Sequence, residues 1–190
     1  MIASPSHLTA DEYLAFERDS AIKHEYRSGQ VYAMAGASNN HVIIAGNLFA
    51  TLRVSLRGQG CRPYISDTKV HIAAKNTYYY PDIVVSCDLR ESGLQDFLKF
   101  PCLIVEVLSD TTEAFDRGNK FADYRALESL KEYILVSQKS VAVEVFCRND
   151  LGQWVLSAYE IGDRVSLSSI DVSFDVAELY EDVEFDSGES

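Results

Sequence analysis

The chain has 190 residues, of which 47% are hydrophobic and 24% are charged, so we expect one domain of ordinary globular composition with a sizeable buried core. Its net charge of −12 argues against indiscriminate binding to nucleic acid. No apolar run approaches the roughly 20 residues of a membrane-spanning helix, and the start, MIASPSHLTADEYLAF, lacks the basic segment and long apolar core of a signal peptide, so we expect no membrane association.

Two short elements are predicted before residue 36. Thr9 and Glu12 have the three-residue spacing of a capping box, which predicts a helix of about a dozen residues or fewer. The segment KHEYRSGQVYAMAG then predicts a β-hairpin, because Ser28 and Gly29 form a turn signal between two strand-like runs.

The segment NNHVIIAGNLFATLRVSLRGQG is the clearest helix in the sequence. Its apolar residues recur every four positions and Gly58 provides an end signal; they are Ile44, Leu48, Leu52 and Leu56. Three strand-like segments follow closely, and the short turns between them predict hairpins; these segments are CRPYISDTKVHIA, YYYPDIVVSC and PCLIVEVLS.

A second helix of about four turns is predicted in AFDRGNKFADYRALESL, before the strand-like EYILVSQ. A helix in this position can serve as the crossover between two parallel strands. The order helix, three strands, helix, strand therefore predicts an α/β fold with a mixed β-sheet flanked by helices.

The last third of the chain reads as antiparallel strands followed by an acidic tail. VAVEVFCRN and QWVLSAYEI alternate between apolar and polar residues, and VSFDVAELYEDV predicts one short helix. Eight acidic residues and no Lys or Arg lie in 171–190, so residues 1–170 carry a charge of only −4, which is compatible with a local basic groove.

We expect a single domain over 1–190, with an N-terminal helix and hairpin (8–35), a core (40–140), and antiparallel strands with the acidic tail (141–190).

The four cysteines are scattered, with no CxxC motif and no His at ligand spacing; they are Cys61, Cys87, Cys102 and Cys147. This pattern argues against a zinc site. It predicts free thiols in the reducing cytoplasm.

Two of the predicted strands each contain one acidic residue in apolar surroundings. Asp82 follows Pro81 in YYYPDIVVSC, and Glu106 lies within PCLIVEVLSD. Burying an unpaired carboxylate is costly, or it shifts the pKa until the group is neutral. If the two strands are neighbours, both acids could point into one cleft. Either each acid then reaches water or a partner, or a cation is expected between them. Oxygen ligands of this kind favour Mg²⁺ or Mn²⁺.

A basic residue near these acids would complete such a site. Lys120 lies four residues after Asp116, in the helix that leaves the Glu106 strand, and that helix could return it towards the strand ends. A bound metal lowers the pKa of its water and stabilises charge that develops on a phosphate. Lys120 would then orient the water or neutralise that charge, with Asp116 positioning Lys120.

At this point the sequence resembles a known family. Pro81-Asp82 followed by Glu106 inside LIVEVLS is similar to the PD-(D/E)xK nuclease superfamily, which has the restriction-endonuclease-like fold. More narrowly, five segments between Leu8 and Asp182 resemble, in this order, the Uma-two family of endonucleases: HEYRSGQVYAMAG, YISDTKVHI, YYYPDIVVSC, PCLIVEVLSDTT and FDRGNKFADYR.

The resemblance implies a restriction-endonuclease-like core and a metal-dependent endonuclease that hydrolyses DNA. It implies that Asp82, Glu106 and the backbone carbonyl of Val107 bind Mg²⁺ or Mn²⁺. The lysine of the superfamily pattern is absent, because Val107 and Leu108 follow Glu106. In the narrower family a lysine from the following helix takes its place, which matches Lys120. Since each subunit of the superfamily cuts one strand, the resemblance also makes a homodimer plausible.

Each of these residues also has a structural interpretation. Asp82 could end a turn after Pro81, and Glu106 could face water on an edge strand. Asp116 and Lys120 fit a surface ion pair at i,i+4 spacing, worth about 0.3–0.5 kcal/mol.

Several further residues are weaker candidates. Glu25 and Asp67 could support the site at the rim of the cleft, although a solvated strand face for Glu25 and a turn for Asp67 are the simpler interpretations. His41, at the start of the long helix, is expected to be exposed. The run Tyr78–Tyr80 could stack on bases, but we expect it to pack in the core.

The alternative function is a non-catalytic interaction or nucleic-acid-docking module on the same fold. The missing superfamily lysine and the charge of −12 favour it. In that case a strand such as VAVEVFC is expected to lie at an exposed edge and to pair across a dimer.

Overall fold

The computed structural model describes residues 7–94 and 96–185; residues 186–190 of the predicted acidic tail lie outside these ranges. Helix α1 (Ala10–Asp19) begins at the predicted capping box, in which the Thr9 hydroxyl accepts from the Glu12 N–H and the Glu12 carboxylate accepts from the Thr9 N–H. The predicted hairpin follows as β1 (His24–Arg27) and β2 (Gln30–Ala33).

The predicted long helix is confirmed as α2 (Asn39–Ser55), capped at its start by the Ser38 hydroxyl. Its buried face carries Ile44, Leu48 and Leu52, none of which is exposed to solvent. This face packs against the central sheet and forms one of the two main cores with it.

The central sheet has six strands, which are, in spatial order, β11 (Trp154–Tyr159), β10 (Val143–Arg148), β9 (Glu132–Ser137), β8 (Leu103–Leu108), β6 (Ile83–Ser86) and β3 (Arg62–Ile65). Pairing is antiparallel between β3 and β6 and between β6 and β8, but parallel between β8 and β9. The predicted mixed sheet with its parallel pair is therefore confirmed.

A second, five-stranded sheet has the order β2–β1–β5–β4–β7, with β4 (Lys69–Ile72), β5 (Thr77–Tyr79) and β7 (Phe97–Leu98). The segment CRPYISDTKVHIA, predicted as one strand, is therefore two strands that belong to different sheets. The break falls at Ser66, which has a φ of +56° and donates its N–H to the carbonyl of Asp82. This left-handed residue redirects the chain from the central sheet to the second one.

The crossover between β8 and β9 is helical, as predicted, but it is not one continuous α-helix. It consists of α3 (Glu113–Phe115), a π-helical turn (Asp116–Lys120) and α4 (Phe121–Tyr124). In the π-helical turn both Asp116 and Lys120 are buried. Such turns are rare and occur often at functional sites.

The C-terminal part contains a hairpin that the sequence did not predict, formed by β12 (Arg164–Leu167) and β13 (Val172–Asp175), before the short helix α5 (Val176–Leu179). It covers the face of the central sheet that α2 also covers. The crossover and part of the second sheet pack on the opposite face. Strand β10 lies between β9 and β11, so the expectation that VAVEVFC is an exposed edge is wrong.

The cysteine prediction is only partly correct. Cys61 and Cys87 form a disulfide. They lie opposite each other because the register of β3 and β6, which pairs Arg62 with Ser86, continues by one residue to them. Cys102 and Cys147 are free thiols, as predicted. Across residues 7–94 and 96–185, the helices are all too short or too polar to cross a membrane.

Candidate active site

The two strand acids come together through the antiparallel pairing of β6 and β8. Ile83 is opposite Val105, and continuing that register by one residue places Asp82 opposite Glu106. The Asp82 Oδ2 atom accepts a hydrogen bond of 2.7 Å from the Val107 N–H, which fixes its carboxylate beside Glu106. Side chains directly opposite on antiparallel strands share one face of the sheet.

The two acids differ in their access to solvent. The side chain of Glu106 is 4% exposed and that of Asp82 is 21% exposed. Strand β8 is central, between β6 and β9, so the interpretation of Glu106 as an edge residue facing water is wrong. Glu106 forms the floor of the site and Asp82 lies nearer its opening.

Lys120 is the basic residue that contacts the floor of this site. Its Nζ lies 2.9 Å from Glu106 Oε1, 3.2 Å from Glu25 Oε1 and 3.5 Å from Asp116 Oδ1. The side chains of Lys120 and Asp116 are 7% and 3% exposed, which excludes the surface ion pair that their spacing also fits. Glu25 therefore joins the site, and it does so from the second sheet.

Three hydrogen bonds hold these side chains and their backbone in place. The Tyr124 hydroxyl donates to Glu106 Oε1 at 3.1 Å, and the Tyr133 hydroxyl donates to the backbone carbonyl of Asp116 at 2.9 Å. Glu25 Oε1 accepts from the Tyr80 N–H at 3.2 Å. The site is thus positioned by both sheets and by the crossover helix.

Burial and neighbouring charges act in opposite directions on the central ion pair. Burial raises the pKa of Glu106 well above its ordinary value, and the charge of Lys120 offsets this only in part, while Asp116 and Asp82 raise the pKa further. Burial also opposes the charge of Lys120, but the carboxylates of Glu106, Glu25 and Asp116 outweigh it and hold the pKa of Lys120 well above its usual range. Lys120 is therefore a permanent cation shared by three acids.

His41 is a member of the site that the sequence interpretation missed. It lies in the first turn of α2, its side chain is only 15% exposed, and its Nε2 atom is 3.2 Å from Asp82 Oδ2. Burial opposes protonation, but hydrogen bonds with Asp82 and with the backbone of Val107 raise the pKa of the imidazole. The helical pattern contained a signal for this position, because His41 precedes Ala45 and Leu48 on the buried face at spacings of four and seven.

Two other predictions concern the surroundings of the site. Asp67 does not join it: its side chain is 79% exposed and pairs with Lys23 on the surface. Tyr78, Tyr79 and Tyr80 are all buried, which confirms that they pack in the core.

The donor set and the charge of this site fit a divalent cation. Within residues 7–94 and 96–185, no three His, Cys, Asp or Glu side chains converge as a ready-made metal site. Mg²⁺, however, is commonly held by only one or two carboxylates and retains several waters, and Asp82 and Glu106 place two carboxylates side by side here. When Glu106 is ionised, as a metal ligand must be, the four carboxylates around Lys120 and His41 leave two negative charges even with both basic groups protonated.

Comparison with known proteins places the chain among restriction-endonuclease-like sequences. The family model Uma2, described as "Putative restriction endonuclease", matches residues 10–177. An uncharacterized protein of Synechocystis sp., slr1290, is 42% identical over 178 residues, which is 94% of each chain. A second one from the same organism, sll1609, is 33% identical over 159 residues, covering 83% of this chain and 90% of the relative.

A solved structure supports the fold assignment. The crystal structure of "a putative nuclease belonging to DUF820" from Anabaena variabilis matches with a TM-score of 0.75 over 92% of this chain and 98% of that one, at 17% identity. At this identity the likeness concerns the fold alone. The predicted restriction-endonuclease-like α/β fold, with mixed sheets flanked by helices, is confirmed.

Proposed function

Because this chain belongs to the Uma2 family, we propose that it is a divalent-metal-dependent endonuclease that hydrolyses phosphodiester bonds in DNA. The observation that carries the proposal is the buried contact between Lys120 and Glu106, directly beside Asp82. Two acids and a lysine on three different elements are brought to one point, at the cost of burying their charges. Perturbed ionisable groups of this kind concentrate at functional sites.

The metal would be held by Asp82, Glu106 and the carbonyl of Val107, as the family resemblance implies. When bound, Mg²⁺ or Mn²⁺ lowers the pKa of a water and stabilises charge that develops on a phosphate oxygen. It would also neutralise the two surplus negative charges of the site. This matters because a phosphate would otherwise be repelled by the acids at the opening.

Lys120 supplies a fixed positive charge on the inner side of the site. Its high pKa makes it an electrostatic and hydrogen-bonding group rather than a proton acceptor. Asp116 and Glu25 hold its ammonium from two further directions, so its position does not depend on Glu106 alone. In this proposal Lys120 orients the attacking water or stabilises the charge of the phosphate.

His41 positions Asp82 at the opening of the site. Its Nε2–H donates to the same Oδ2 atom that accepts from the Val107 N–H, so one carboxylate oxygen is held from two sides. The other oxygen of Asp82 stays available for a ligand. His41 therefore has a positioning role in this proposal.

The decisive experiment measures metal binding before cleavage, since a negative cleavage assay is ambiguous while the DNA substrate is unknown. Mn²⁺ binding is followed by electron paramagnetic resonance for the wild type, Asp82→Asn, Glu106→Gln and the matched control Asp67→Asn. We expect saturable binding that is lost in the first two variants and unchanged in the control, whose acid lies on the surface. Nicking of supercoiled plasmid by the same proteins should follow the same pattern.

One observation favours the alternative, a non-catalytic interaction module. The ammonium of Lys120 is already within 3.5 Å of three carboxylates and is almost fully buried, so it can neutralise part of the cluster without a metal. Equal Mn²⁺ binding in all four proteins, or none in any of them, would favour this alternative. Cytoplasmic location stays a prediction.

A further inference from the structure

Strand β11 is an edge of the central sheet with one side unpaired in the described part of the chain. It pairs with β10 alone. The Asn149 N–H donates a hydrogen bond of 2.9 Å to the Gln153 carbonyl, so the backbone groups of Gln153 point towards β10, and along β11 successive residues point alternately towards β10 and away from it. Continuing the alternation, the backbone groups of Leu156 and Ala158 point away from β10. These outward N–H and C=O groups are a template for another strand.

The two edges of the central sheet are built differently. The opposite edge, β3, has four residues and contains Pro63, which removes a donor and blunts the edge. Strand β11 has six residues without proline or charge, and the uncharged stretch extends from Leu151 to Tyr159. None of the usual protections against edge pairing is present in it.

Both faces of β11 also expose apolar side chains. Val155 and Leu156, which point to opposite faces of the sheet, are 50% and 49% exposed. Leu151 and Ile161, just beyond the two ends of the strand, are 82% and 65% exposed. Exposed apolar side chains thus lie on both faces of this edge and beyond both of its ends, which marks it as an interaction surface.

We propose that β11 pairs antiparallel with β11 of a second copy of this chain, joining the two central sheets. In such a two-fold arrangement the same strand of each copy runs antiparallel to the other, so the surface must be complementary to itself. The uncharged stretch 151–159 satisfies this condition in a protein of net charge −12, because two copies can approach here without placing like charges opposite each other. The proposal corrects the predicted dimer strand from β10 to β11, and it does not depend on the nuclease proposal.

The association is expected to be weak. A pairing centred on one six-residue strand buries less than the roughly 800 Å² per partner of a standard interface. We therefore expect a dissociation constant on the order of micromolar or higher, and a dimer whose fraction rises with protein concentration.

Sedimentation velocity of the full chain over a concentration series tests this proposal with two variants of β11. Leu156→Lys adds a positive charge to each of the two facing strands, and Ala158→Pro removes an outward N–H while leaving the bonds to β10. The control is Val54→Lys, at a 68% exposed apolar position on α2. Circular dichroism melts establish that all four proteins are folded.

We expect the wild type and Val54→Lys to dimerise with the same constant, and each β11 variant to weaken dimerisation at least tenfold. Hydrogen exchange of the β11 amides in the wild type should slow as concentration rises. A wild type that is monomeric throughout the series would overturn the proposal. Dimerisation of the β11 variants at wild-type strength would overturn it equally, because the interface would then lie elsewhere.

Discussion

Replacing Lys120 by methionine should destabilise the protein strongly, because the length of the side chain is kept but the charge shared by Glu106, Glu25 and Asp116 is lost. Removing one partner of a buried ion pair costs about 3–5 kcal/mol. Glu106 can relieve part of this cost by binding a proton, since its pKa is already raised, so we expect about 3 kcal/mol. For a chain of this size that corresponds to a melting temperature lower by about 6–12 °C.

Urea unfolding and thermal melts at pH 7 measure this effect. Lys139→Met is the control, because Lys139 forms an exposed ion pair with Asp110 and its loss should leave the melting temperature unchanged. In the double variant Lys120→Met/Glu106→Gln the cost should be smaller than the sum of the single costs, with a coupling of about 1–3 kcal/mol. A free energy of unfolding for Lys120→Met within about 0.5 kcal/mol of the wild type, or additive single effects, would refute the reasoning.

Three further predictions concern the same site. Folding raises the pKa of Glu106. The stability that this group contributes is therefore complete below the pKa of Glu106 in the unfolded chain and is lost as the pH rises through its pKa in the folded protein. Glu106→Gln should remove this part of the pH dependence of urea unfolding. Folding also raises the pKa of His41, so the stability that His41 contributes is complete below its unfolded pKa of about 6.5 and fades as the pH rises further. The difference in the free energy of unfolding between wild type and His41→Gln should therefore shrink from pH 6 to pH 9. An unchanged difference would contradict the contact with Asp82. Tyr124→Phe removes a buried hydrogen bond to Glu106 and should lower the free energy of unfolding by about 1.5–3 kcal/mol, measured by the same titrations.

The acids of the site were predictable from the sequence because each interrupts an apolar strand. The short turn between the strands of Asp82 and Glu106 predicted that they are neighbours, and the helical crossover offered a way for Lys120 to return to them; the structure brings these three residues together. Local patterns were sufficient for this part, since strand periodicity and connection length carry the information.

The remaining members of the site depend on contacts between distant segments. Glu25 reaches Lys120 from a hairpin of the second sheet, and no feature of the sequence indicated that this hairpin would pack over the crossover. The π-helical turn was invisible because the apolar spacing around it is also compatible with a regular helix. The break at Ser66 was missed for a similar reason, since a left-handed residue other than glycine has no strong sequence signal.

The π-helical turn between Asp116 and Lys120 makes the length of the crossover as important as its composition. In a regular α-helix each residue advances the chain by about 100° around the axis. Deleting one residue from this turn would restore a regular α-helix and rotate Lys120 away from Glu106. The sequence would still contain every residue of the site. An insertion or deletion of one residue in this crossover could therefore connect or disconnect the lysine during evolution, while both strand acids stay in place.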